Sequence, residues 1–182
     1  MRQTRRAVPR TLHLIDLENL CPHGNVTART VDRVWQLYTS RVGVYNDDGV
    51  VVAVDGSRAL TVSRALPSGI RLLTGRGRDG ADRVLLGVVD IAWAKRCFER
   101  VVVASGDHVF APSIRECQAA GMPVELVAGC GGVARVLTDT GVPIHRLMGS
   151  EPATSPRTTP CATRSRHRVP RRPDRRLSLI HI

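Results

Sequence analysis

The sequence predicts a doubly wound α/β domain built on a parallel sheet of about five strands. Three observations predict it. The short runs TLHLID, VVVAV, IRLLT, RVVVA and PVELVA are apolar without the alternation of a half-wet strand, which marks strands covered on both faces. Stretches of helical periodicity separate most of them. Turn formers such as NDDG fall at the junctions.

The elements follow in order. Strand 1 is TLHLID, residues 11–16. Residues 30–42 repeat apolar side chains at Val31, Val34, Leu37 and Tyr38, a helical spacing with Thr30 as N-cap. NDDG turns the chain into strand 2, residues 50–54. Residues 57–66 form a short helix and 70–74 form strand 3. The stretch 81–98, ADRVLLGVVDIAWAKRCF, is the longest helix expected. Strand 4 is 100–104, a helix covers 110–121 and ends at Gly121, and strand 5 is 123–128. A further helix over 133–141 and an edge strand over 142–147 complete the order.

The 182 residues suit one domain with tails. Residues 11–149 form the domain. Beyond Gly149 the composition turns to Pro, Thr, Ser and Arg, which cannot supply a core, so 150–182 reads as a disordered tail. Its last six residues, LSLIHI at 177–182, read as an in-frame translation of a sequencing-library adapter and carry no functional weight. No apolar run reaches the roughly 18 residues of a membrane helix. No apolar signal-peptide core follows the basic start MRQTRRAVPR. The expectation is a soluble, cytoplasmic protein. Cys21, Cys97, Cys117, Cys130 and Cys161 are odd in number and contain no CxxC pair, which argues for reduced thiols over disulfides or zinc.

The net charge of +11 is unevenly placed. Residues 1–10 form a basic arm of four arginines without an acid, and 151–182 hold eight arginines against Glu151 and Asp174. The middle, 11–150, has 15 basic and 14 acidic residues. Basic arms attract nucleic acid by releasing counterions from phosphate. Lys95 is the only lysine, a skew that a GC-rich genome also produces.

Acids sit at three element ends. Asp16 closes strand 1, Asp107 follows strand 4 in ASGDHVFAP, and Asp79 and Asp82 stand at the helix start after strand 3. Ligands of open parallel sheets bind beyond the carboxyl ends of the strands. With the strand order 3-2-1-4-5, Asp16 and Asp107 face each other across that crevice and Asp82 reaches in from beside it. Two unit charges about 4 Å apart repel by roughly 4 kcal/mol at an effective dielectric near 20. Protonation or a divalent cation relieves that. Oxygen ligands without His or Cys select Mg²⁺ or Mn²⁺, which keep several waters and bind substrate phosphates. Three of them also have a plainer role: Asp79 and Asp82 favour a helix start, and Asp107 serves as an N-cap. Asp16 is hardest to dismiss, because it ends an apolar strand and LEN continues the polarity.

GRGRDG, with Gly75, Gly77 and Gly80 and with Glu99 about 20 residues on, fits the dinucleotide fingerprint GxGxxG. It follows the third strand rather than the first, and arginines fill it. Its alternative use is to hold a nucleic-acid phosphate with Arg76 and Arg78. There is no GK[ST] and no G-x-S-x-G around Ser105. His108 adjoins the acids and is placed to assist proton transfer or simply to line a loop.

HLIDLENL, GRDGAD and VVVASGDHVFAP together resemble the NYN domains of the PIN-like nuclease superfamily over residues 11–147. The resemblance implies a Rossmann-like (PIN-like) fold, Mg²⁺ or Mn²⁺ bound by clustered aspartates, and cleavage of RNA. It implies Asp16, Asp82 and Asp107 as metal ligands and catalytic residues. Asn19 orients a ligand or substrate, with Arg76, Arg78 and Ser105 as further substrate contacts. Glu18 is the family's acid before Asn. Many relatives carry a second acid two residues beyond the first in SGDxDF; here that place is Val109. Asp79, Asp90 or Glu18 is left to substitute, and Asp90 lies about two helical turns, roughly 12 Å, from Asp82 along a continuous helix. The expected partner is RNA, single-stranded or structured. The alternatives are a non-catalytic RNA-binding or regulatory module, favoured by Val109, and a nucleotide-binding Rossmann enzyme, favoured by GRGRDG.

Overall fold

Leu12 and Leu14 alternate along strand β1 (Thr11–Asp16) with His13 and Ile15, and all are buried. That is possible only where both faces of a sheet are covered. A computed structural model, which describes residues 9–148, shows this cover. Six parallel strands take the order β3-β2-β1-β4-β5-β6. They are β1, β2 (Gly49–Asp55), β3 (Arg71–Gly75), β4 (Arg100–Ala104), β5 (Val124–Ala128) and β6 (Ile144–Arg146). The inner strands follow the expected order, with β6 added at the edge.

One face carries α1 (Leu17–Leu20), α2 (Ala28–Val42) and α3 (Ala59–Ala65). Its core joins Ile15, Val52, Val54, Val102 and Val127 to Val31, Val34 and Tyr38 of α2. The other face carries α4 (Gly80–Leu86), α5 (Ile91–Cys97), α6 (Ala111–Ala119) and α7 (Arg135–Thr138). There Leu12, Leu14, Val101, Val103 and Leu126 meet Leu85, Ala94, Ile114 and Leu137. With few aromatics, the core is built from branched aliphatic side chains, which suit buried parallel strands.

Several expected boundaries move, each for a local reason. The long helix over 81–98 is two helices. Gly87 ends α4, and Asp90 starts α5 by accepting the Trp93 N–H at 2.9 Å. Thr27, not Thr30, caps α2; its hydroxyl accepts the Thr30 N–H at 3.2 Å. The helix expected over 133–141 shrinks to the single turn of α7. A 3-10 turn, His108–Phe110, precedes α6. The helix over 57–66 likewise opens with a 3-10 turn, Gly56–Arg58.

The amino edge of the sheet holds a buried polar cluster. His13 Nδ1 pairs with the Tyr38 hydroxyl at 2.8 Å and Nε2 with Asp48 Oδ2 at 3.3 Å. Asp48 also accepts the N–H groups of Thr11 and Tyr45. These bonds tie β1 to α2 and to the turn before β2. Burial holds the His13 pKa below its ordinary value despite Asp48. Arg10, counted above in the basic arm, packs its guanidinium over Phe98 at 5.0 Å. No helix among the described residues is long and apolar enough to cross a membrane. The tail from 150 onward, Cys161 and most of the N-terminal arm lie outside the described residues.

Candidate functional site

Parallel pairing of β1 with β4 sets Ile15 opposite Ala104. The next residues, Asp16 on one strand and Ser105, Gly106 and Asp107 on the other, therefore leave the sheet side by side at its switch point. A small set of hydrogen bonds holds them. Ser105 is fully buried; its hydroxyl donates to Asp16 Oδ2 at 3.0 Å and accepts the Asp107 N–H at 3.1 Å. The Asn19 N–H donates to Asp16 Oδ1 at 3.3 Å, so Asp16 also caps α1. The Asn19 side-chain oxygen accepts the Gly106 N–H at 2.7 Å. Gly106 has no space for a side chain, since a Cβ there stands 2.5 Å from Gly132 O. Ser105 thus lies differently from the substrate contact expected of it, whereas Asn19 lines the pocket at this edge. The Ser105 hydroxyl is spent behind Asp16, and the Asn19 carbonyl is spent on the β4 loop.

Asp82 arrives from a third direction, through close backbone packing. A Cβ on Gly75 lies 2.0 Å from the Gly80 carbonyl carbon, and one on Gly80 lies 3.0 Å from that of Gly75. Only glycines let the first turn of α4 sit directly on the end of β3. Asp79, at φ 55°, makes the turn in the left-handed region. Gly75 and Gly80 of GRGRDG therefore pack a helix against a strand. Their strand, β3, is at the sheet edge and not at the switch point. Arg83 braces this loop by donating to the carbonyl oxygens of Arg76 and Arg78 at 3.2 and 3.4 Å. Arg76 and Arg78 themselves extend into solvent.

Asp16, Asp82 and Asp107 line one pocket of about 290 Å³, together with Glu18, Asn19 and Asp79. Asp55, at the end of β2, lines it too. Asp55 ends an apolar strand as Asp16 does, but in AVDGS its aspartate and glycine look like a plain turn. Its Oδ1 accepts from both the N–H and the hydroxyl of Ser57. Asp90 caps α5 and does not line the pocket, and Val109 packs against the core. Asp107 is both a site acid and a cap. Its Oδ1 accepts the Val109 N–H at 3.1 Å and stands 2.7 Å from Nδ1 of the exposed His108.

The electrostatics match the crowding. Burial first, and then the charge of Asp82, push Asp16 from 3.8 up to about 7, against the bonds from Asn19 and Ser105. Burial, followed by the charge of Asp107, also raises Asp82. Asp82 Oδ1 is buried and accepts no hydrogen bond from an N–H or hydroxyl group. A protonated Asp16 carboxyl pairs with the Asp82 side chain, so the cost falls on the state in which both are ionised, and a cation would relieve it. A Mg²⁺ or Mn²⁺ ion fits this donor set, which offers oxygen alone. Among the described residues, no three His, Cys, Asp or Glu side chains stand together closely enough to hold a metal ion by themselves.

No protein-family model and no curated protein matches this chain.

Proposed function

We propose that this domain is a metal-dependent ribonuclease of the NYN type within the PIN-like superfamily. The observation that carries the reading is one pocket at the sheet's switch point. Three separated aspartates, Asp16, Asp82 and Asp107, line it, and the buried Asp82 Oδ1 has no donor once Asp16 is ionised. Asp82 and Asp107, with Asp16 behind them, are the residues that would hold Mg²⁺ or Mn²⁺. When bound, such a cation neutralises charge on a phosphodiester and polarises its P–O bonds.

The chain's own residues do the remaining work. Ser105 and Asn19 fix Asp16 between β1 and β4. The Gly75–Gly80 contact sets the depth to which α4 carries Asp82. His108, held at Asp107 and exposed, is placed to exchange protons with solvent near the site. A non-catalytic RNA-binding module is the second reading. Val109 supports it, because it removes one acid and leaves the ligand set short.

Asp107→Asn separates these roles. Asparagine caps the 3-10 turn as well as aspartate does, so folding is retained. Cleavage of labelled single-stranded and structured RNA in Mn²⁺ should fall about 10²-fold or more, the scale of one lost preorganised electrostatic group. EDTA should abolish it in the parent. Equal cleavage by parent and variant would remove Asp107 from the chemistry. A parent inactive with every divalent cation tried would favour the binding module.

A further inference from the structure

Beyond the acids, the carboxyl edge of the sheet continues into a second hollow. Glu18 and Asn19 form a wall common to both. On the far side lies a cavity of about 380 Å³, completed by Cys21, His23, Cys130, Gly131 and Gly132. Two segments build it: the 3-10 turn after α1 (Pro22–Gly24) and the loop after β5.

Backbone packing fixes both segments to the acid site. Gly129 lies so near α1 that a Cβ there would stand 2.8 Å from the carbonyl oxygens of Asn19 and Leu20. The Ala134 N–H donates to Gly106 O at 3.0 Å, and Arg146 Nη1 donates to Gly131 O at 3.1 Å. The hollow is thus part of the same framework that holds Asp16 and Asp107.

Its chemistry differs from that of its neighbour. No arginine or lysine lines it, and the Glu18 carboxylate on its wall repels phosphate. What remains is an imidazole, an amide, two thiols and a glycine lip. That lip is open, because a Cβ on Gly131 or Gly132 meets no atom within 4 Å. His23 is exposed and holds a left-handed backbone, φ 53° and ψ 28°. A flat, neutral group with hydrogen-bonding edges suits these walls, and the volume is that of a small-molecule site. Unpaired RNA bases are bound in this way, by stacking on rings that include histidine and by hydrogen bonds to their edges.

We propose that the hollow seats the unpaired base of the nucleotide next to the phosphate at the acids. The proposal rests on the ribonuclease reading above. A paired base reaches such a hollow only after it is flipped from its stack, so duplex RNA is a poor substrate.

Two measurements test it. In the first, the full chain with Mn²⁺ is mixed on ice with a single-stranded oligoribonucleotide carrying 4-thiouridine and irradiated at once, and crosslinked peptides are mapped. Crosslinks should fall on 21–24 and 130–132; their absence there overturns the proposal. In the second, Gly131→Leu fills the hollow and His23→Gly removes the ring while suiting the backbone. With Mn²⁺, both should cleave the oligoribonucleotide about tenfold or more slowly than the parent, the scale of one lost stacking contact. Both should hydrolyse bis(p-nitrophenyl) phosphate, a phosphodiester without a base, at the parent's rate. Parent-like rates on both substrates would overturn the subsite and leave the ribonuclease reading standing. A parent that cleaves neither substrate sinks the ribonuclease reading, and the crosslink map alone then decides whether the hollow holds a base.

Discussion

Asp16 shows how much one carboxylate carries in this site. Its folded pKa is raised to about 7 by burial and by Asp82. A carboxyl group with a raised folded pKa contributes stability that is complete below its unfolded pKa, near 3.8, and is lost as pH rises through the folded value. The metal-free protein should therefore lose stability between about pH 4 and pH 7. The rise from 3.8 to about 7 corresponds to on the order of 4 kcal/mol. Asp16→Asn should flatten this dependence and raise the metal-free melting temperature at pH 7. It should also reduce the stabilisation by Mn²⁺, which the parent should show most strongly at neutral pH, where its carboxylates are ionised. Melting curves from pH 4 to 8, with EDTA or Mn²⁺, check both halves. A pH-independent melting temperature in EDTA would mean that Asp16 is not held against its own charge. At this scale the sequence was legible where an acid interrupts an apolar run, as at Asp16 and Asp107. It was silent on Asp55, which looks like a turn residue, and on Ser105, whose burial appears only once β1 and β4 are paired.

At the scale of elements, α4 decides whether the acids meet. Its first turn rests on the end of β3 because Gly75 and Gly80 touch backbone to backbone. Gly75→Ala introduces a Cβ 2.0 Å from the Gly80 carbonyl carbon, so the helix must move. Overpacking of this kind costs about 1–3 kcal/mol or more, and here it also displaces Asp82, the third residue of α4. Gly77→Ala is the control. It is strained by its φ of +74° but meets no atom within 4 Å, so it should cost about 1–2 kcal/mol and leave Asp82 in place. Urea denaturation should show both losses, whereas the stabilisation by Mn²⁺ should be lost in Gly75→Ala alone. Equal stabilisation of both variants by Mn²⁺ would detach Asp82 from the ion. The pattern GxGxxG was visible in the sequence, but its purpose was not, because a phosphate cradle and a helix–strand contact ask for the same residue. The break between α4 and α5 was hidden in a similar way. Apolar periodicity runs through Gly87, Val88 and Val89, and only the cap at Asp90 reveals a second start.

For the whole molecule, the proposed function asks what would draw RNA to an acidic pocket. Residues 11–150 carry 15 basic against 14 acidic side chains, and the site itself concentrates negative charge. The arginine surplus lies instead in 1–10 and 151–182. If the terminal arginines engage phosphate, each contact adds about 0.9 to the slope of log affinity against log salt on duplex and about 0.7 on single strands. Removing 151–182 takes away eight arginines and two acids. It should weaken RNA binding at low salt and flatten the slope by several units if most of those arginines make contact. The fold should persist, because the buried side chains of both sheet faces lie within residues 11–147. Fluorescence anisotropy of a labelled single-stranded RNA between 50 and 300 mM salt, concentrations chosen to span roughly the physiological range, measures the slope; circular dichroism checks the fold. The hydrolysis of bis(p-nitrophenyl) phosphate should be unchanged by the truncation, because that substrate offers no chain for the arms to hold. An unaltered slope would mean that the arginines reflect genome composition, and that affinity resides in the folded body, where Arg76 and Arg78 stand exposed beside the acids.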